Sequence, residues 1–143
     1  MTLKRFLLDT VTVSDLARNP HGRVARHLAE EGVEAVCVSI VVASELRFGA
    51  VKSGSARLSE RIALLLDRLP ILPLEPPTDE HYAEIRHHLE RVGNPIGPND
   101  LLIAAQARAL GLIVVTDNQR EFKRVPGLEV VNWLGPRRSP THL

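Results

Sequence analysis

The sequence of 143 residues has little of several things that could otherwise define a small protein. It has one cysteine, Cys37, which excludes an internal disulfide and any multi-cysteine zinc site. Cys37 lies in the apolar run EAVCVSIVV, where a thiol is expected to pack as a small hydrophobe. Aromatic side chains are 3% of the chain, too few for a base-stacking platform of the kind that holds single strands. The net charge of +1 is far from the basic excess that coats nucleic acid, so any such partner has to be held locally. No apolar run approaches the ~18 residues of a membrane span. The stretch after Lys4 and Arg5 stops at Asp9, too short for a signal-peptide core. A cytoplasmic location is the expectation.

What is present is ordinary globular material, 44% apolar and 24% charged. The length suits one domain with its own core. A single domain over 1–133 is expected, with 134–143 a loose tail, because GPRRSPTHL carries two Pro and two Arg and little apolar content. Pro and Gly punctuate the rest, notably in the loop GNPIGPN at Gly93–Asn99.

Between these breaks, Arg5–Leu8, Ala35–Ser39, Ile71–Leu74, Leu112–Thr116 and Leu128–Val131 read as short strands. Helical spacing is expected at Ser14–Asn19, Arg23–Glu31, Val41–Lys52, Ala56–Arg68, Asp79–Val92, Asp100–Leu110 and around Gln119–Lys123. Strands rich in Val, Ile and Leu alternating with helices predict an α/β fold: a mostly parallel sheet of four to five strands covered on both faces.

In such a sheet, strand C-termini and helix N-termini share one edge, where ligands bind. Asp9 follows FLL and Asp117 follows LIVVT, so both are placed there. Glu45 lies early in the helix after the second strand, with Val41, Val42, Phe48 and Gly49 as its helical neighbours, and is expected to face inward. Asp100 starts NDLLIAAQARAL, a helix apolar on nearly every side. Each acid has an ordinary reading: Asp9 as a helix cap or turn residue, Glu45 paired with a base such as Arg47, Asp100 serving a helix N-terminus, Asp117 in a turn.

The four together are harder to explain that way. Two carboxylates about 5 Å apart repel by roughly 3 kcal/mol at an effective dielectric of about 20. Four in one place would approach the whole stability of a domain, ~5–15 kcal/mol. Protons or cations must neutralise them, and oxygen ligands without His or Cys suit Mg²⁺ or Mn²⁺.

On these residues the sequence resembles the PIN-domain ribonucleases, specifically the VapC-type toxins of VapBC toxin–antitoxin modules. The resemblance rests on FLLDT, SIVVASELRFGA, GNPIGPNDLLIAAQARALGLIVVTDNQREF and VPGLEVVNW, and the third segment is its most specific part. It implies a PIN-like three-layer fold and cleavage of single-stranded RNA regions at a carboxylate-bound Mg²⁺ or Mn²⁺. Asp9, Glu45 and Asp100 take the first three acidic places. Asp117 takes the fourth, less regular one, with Asn118 and Glu121 as alternates. Asp9, Asp100 and Asp117 would hold metal, and Glu45 would orient or deprotonate a water. Many such toxins read Asp-Thr-Asn where this chain has Asp9-Thr10-Val11, so a polar contact near the metal is missing. Arg47, Lys52 and Arg120 are candidates to hold RNA.

The resemblance also implies a homodimer and a VapB-type antitoxin that covers the acids, assembling with the toxin on operator DNA. A cation that the antitoxin places among the acids would replace the charge of the metal.

Competing readings are weaker. A haloacid-dehalogenase-type phosphatase needs a second acid where Val11 stands, and a receiver-like phosphoacceptor needs a late lysine that VVTDNQ lacks. A PIN-like module that binds RNA or a protein without cleaving remains the alternative from another class. His81, His87 and His88 contain no pair at i,i+4 and are expected on a solvated helix face. Trp133 and Phe122 are expected to pack in or beside the core.

Overall fold

Five short runs of Leu, Ile and Val pair into one parallel sheet at the centre of the protein. The structure, a computed structural model, describes residues 5–136. The strands are β1 (Phe6–Leu8), β2 (Val36–Ser39), β3 (Ile71–Leu72), β4 (Ile113–Val115) and β5 (Val130–Val131). They lie in the order β3-β2-β1-β4-β5, and every pairing is parallel. Phe6 is in register with Val36 on one side and Ile113 on the other. All residues of β1 and β2 are buried, which explains continuous apolar runs rather than alternation.

Helices α1 (Thr10–Arg18) and α2 (Arg23–Glu31) connect β1 to β2, and α3 (Ile40–Ser53) and α4 (Ala56–Arg68) connect β2 to β3. The chain then crosses back through α5 (Thr78–Arg91) and α6 (Pro98–Leu110) to β4, and α7 (Gln119–Phe122) leads to β5. Right-handed crossovers put helices from the outward and return paths on opposite faces. The packing agrees: α1, α3 and α4 contact one another, and α5 lies along α6. The predicted three-layer α/β fold is therefore present. Strand order reverses between β1 and β4, so their carboxyl ends flank the switch point where such sheets bind ligands.

Most element boundaries match expectation, and α2 and α4 match at both ends. The clearest difference is α1, which begins at Thr10 rather than Ser14. Its first turn, Thr10-Val11-Thr12-Val13, is wholly β-branched and looks strand-like. Asp9 overrides that bias by accepting from the Thr12 N–H as N-cap. The third strand ends at Leu72 because Pro73 has no N–H to continue the ladder. Gly111, at φ 68°, ends α6 in the left-handed region and lets β4 begin two residues later.

Cys37, Phe122 and Trp133 are buried as expected. His81 departs from a purely solvated face: half-buried, its Nδ1 accepts from Arg108 Nε at 2.8 Å. Leu134 packs against the core, and 137–143 of the expected tail lie outside the described residues. Among the described residues, no helix is long and apolar enough to cross a membrane.

Candidate active site

Asp9 and Asp117 each follow a strand at the switch point, Asp9 directly after β1 and Asp117 two residues beyond the end of β4. The Asp9 N–H donates to the Val115 carbonyl at 3.1 Å, so its backbone is fixed to the neighbouring strand. Its side chain is 5% exposed. Oδ1 accepts from the Thr12 N–H at 2.9 Å, and the Thr12 hydroxyl stands 2.8 Å away. That hydroxyl is also 2.9 Å from the Val115 carbonyl, and its single proton serves one acceptor at a time. Burial pushes the Asp9 carboxyl above its usual range; the Thr116 and Thr12 donors pull it down, and the charge of Asp117 adds to the rise. The capping role and the acidic-site role of Asp9 are thus compatible.

Glu45 does not point fully inward. It is half-buried at the edge, and its oxygens are held by two neutral donors. Thr10 Oγ1 donates to Oε1 at 2.6 Å, and Asn99 Nδ2 donates to Oε2 at 3.3 Å. The expected alternative, pairing with Arg47, is replaced by these contacts.

Asp100 is in the first turn of α6, opened by Gly97 and Pro98. Its carboxyl is pushed up to about 7 by burial, by the charge of Glu121 and a hydrogen bond with it, and by the charges of Asp9 and Glu45. Below that pH, Asp100 keeps its proton and donates it to Glu121. Burial pushes Glu121 upward too. Donors from Gly97, Asn118 and Asp100, and the charge of Arg124, outweigh burial and hold it below the usual range. Gly97 N–H donates to Glu121 Oε1 at 2.8 Å, and Asn118 Nδ2 donates to Oε2 at 2.6 Å. Arg124 Nη1, two residues past α7, donates to the Pro95 carbonyl at 3.1 Å, so together with Glu121 of α7 it clamps the loop that leads into Asp100.

The four predicted acids therefore lie on one edge and sense one another's charge: Asp117 acts on Asp9, and Asp9 and Glu45 act on Asp100. Glu121, an alternate for the fourth place, is bonded to Asp100 directly. Its oxygens already serve Gly97 and Asn118, whereas Asp117 is electrostatically coupled to Asp9. Asn118, the other alternate, donates to Glu121. Val11 is 42% exposed and offers no polar atom to the cluster.

The expectation did not include the partner set of Thr10, Thr12, Asn99 and Thr116. Only the Thr12 contact had a usable signal, since an Asp that caps a helix accepts from a backbone N–H two or three residues on. The others depend on tertiary contacts between α1, α3, α6 and β4.

The cluster fits a divalent cation in donor type and charge. It offers oxygen and no sulfur or imidazole, and the proton retained by Asp100 marks excess negative charge. Among the described residues, no three acid, His or Cys side chains are grouped closely enough to hold a metal ion as they stand.

Fold and site together define a class: a small α/β protein with an acid-rich edge at the switch point of a parallel sheet, suited to cation-assisted phosphodiester chemistry. Residues 6–128 match the PIN domain family. The chain is 35% identical over 130 residues to the tRNA(fMet)-specific endonuclease VapC of Salmonella typhimurium, covering 90% of this chain and 98% of that protein. It is 38% identical over 135 residues to ribonuclease VapC2 of Haemophilus influenzae, covering 91% and 98%. Among solved structures, VapBC2 from Rickettsia felis bound to a promoter DNA fragment superposes with a TM-score of 0.83 at 31% identity, over 92% of this chain and 99% of that one. The chain belongs to the PIN-domain family, alongside its VapC ribonucleases. PIN-domain nucleases are metal-dependent as a class.

Proposed function

We propose that this protein is a metal-dependent endoribonuclease and the toxin of a VapBC-type module, hydrolysing RNA phosphodiester bonds at the acid cluster. The observation that carries the reading is kinship with the VapC ribonucleases over nine-tenths of the chain, supported by acids after β1 and β4 and at the start of α6 that act on one another at the switch point. Asp9, Asp100 and Asp117 would hold Mg²⁺ or Mn²⁺. A bound cation supplies charge neutralisation on the phosphate and lowers the pKa of water.

The chain's own residues do the rest. Thr12 and Thr116 fix Asp9 at the end of β1. Glu45, gripped by Thr10 and Asn99, receives the proton of the attacking water or orients that water. Arg47 and Arg120 are exposed and would meet RNA phosphates, with affinity falling as salt rises. Lys52, whose Nζ lies 5.9 Å from the Phe48 ring centroid, is a third candidate.

The partner follows from the relatives, several of which are solved as toxin–antitoxin complexes. A groove beside Glu45, lined by Thr10, Ser14, Arg18, Gly49 and Ile62, is where an antitoxin segment would lie. A cation delivered from it to the acids would replace the metal and silence the enzyme. A homodimer, joined by antitoxin into a hetero-oligomer in the cytoplasm, completes the proposal.

Purified tRNA(fMet), the substrate named for the Salmonella relative, is the first RNA to try. Cleavage with Mg²⁺ or Mn²⁺ that EDTA and Asp9→Asn abolish is the expected result. Cleavage that persists in both controls would remove the acid cluster as its source.

A further inference from the structure

Helix α6 opens with Pro98, Asn99 and Asp100. Pro98 suits the first helical position, where its missing N–H costs nothing, and Asp100 belongs to the acid cluster. Asn99 has no such role in its own helix. The N-cap is Gly97, no side chain caps this end, and Asn is a poor helix former past the cap. The exposed Asn99 instead reaches across to α3 and donates from Nδ2 to Glu45 Oε2 at 3.3 Å.

We infer that Asn99 is a positioning residue for RNA cleavage, setting the Glu45 carboxylate against Asp100, its own chain neighbour. The inference rests on the nuclease reading above. Glu45 is a long, half-buried side chain that would otherwise sample several rotamers. A carboxylate that handles a water must stand within hydrogen-bond reach of it, and small misplacements are costly. Asn99 on one oxygen and Thr10 on the other fix the plane of the carboxylate and leave lone pairs for a water. Both donors are neutral. A Lys or Arg in either place would add positive charge that competes with a divalent cation, and an amide and a hydroxyl do not. Because Asn99 and Asp100 are consecutive, any shift of the α6 N-terminus carries the acid and the tether of Glu45 together.

The test is single-turnover RNA cleavage by the full chain carrying Asn99→Ala, alone and combined with Glu45→Ala. The 3.3 Å length at an exposed position places the expected rate loss for Asn99→Ala at about tenfold, the low end of what such supporting contacts carry. The RNA concentration giving half-maximal rate should not move, and Asn99→Ala should cost nothing further when Glu45 is already Ala. Thr10→Val should behave the same way. A raised half-maximal RNA concentration at unchanged rate would make Asn99 an RNA contact instead. Full additivity with Glu45→Ala would also overturn the role.

A second readout needs no activity. In the metal-free protein, the Asn99 side-chain amide NMR signals should shift on Glu45→Ala, and unchanged signals would deny the contact. Wild-type protein that leaves RNA intact would overturn the nuclease reading and the positioning role with it; the amide signals would then tell whether the contact itself exists.

Discussion

Asp100 shows how one side chain reports on a whole cluster. A carboxyl raised from 3.8 to about 7 by burial and neighbouring acids means that the folded protein binds this proton more tightly than the unfolded chain does. The folded state therefore loses stability as pH rises from near 4 to about 7, and the loss is complete above that. Solvent access to the half-buried site reduces the effect to roughly 1–2 kcal/mol, well below what the whole displacement from 3.8 to about 7 would give a fully shielded group at ~1.4 kcal/mol per pH unit. Urea unfolding in EDTA should show wild-type stability falling over this window relative to Asp100→Asn, and saturating Mg²⁺ should remove the difference. A variant difference that does not change with pH would mean that the acids do not confront one another as described.

At the scale of elements, the site depends on helices that a sequence reading locates well and orients less well. Apolar spacing and glycine or proline breaks placed α2, α4 and α6 closely. The start of α1 was hidden because four β-branched residues are helical there only through the Asp9 cap. The acids at strand ends, Asp9 and Asp117, were legible because strand termini fix direction. Their donors were not, since Thr10 meets Glu45 across 35 residues and Asn99 meets it across 54. Gln106 is a similar case: a polar residue on a buried helix, fully enclosed, whose Nε2 donates to the Leu72 and Pro73 carbonyls at 3.3 and 3.0 Å. It ties α6 to the end of β3, with Oε1 left without a partner. Gln106→Ala removes this tie and opens a cavity, so urea denaturation should show a loss of about 2–4 kcal/mol. A loss under ~1 kcal/mol would mean that the helix is held without it.

For the whole molecule, topology explains why so small a chain can concentrate this much negative charge. The reversal of strand order between β1 and β4 leaves a crevice at their carboxyl ends, and the N-terminal turns of α1, α3 and α6 carry or flank the acids there. Helix N-termini carry partial positive charge that offsets part of the repulsion. The net charge of +1 leaves no global field to attract RNA, so on the proposed reading capture would fall to local cations and to a bound metal. On the function proposed above, one cation delivered by a partner would occupy the place of the metal and silence the protein.

The most direct measurement is to map the 5′ ends produced when the purified protein meets total cellular RNA with Mg²⁺ or Mn²⁺, beside Asp100→Asn prepared identically. Discrete ends that vanish in the variant and in EDTA are the predicted result, and they would name the target as well. Folded wild-type protein that yields no ends above the variant's background in either metal would contradict catalysis and leave a binding module.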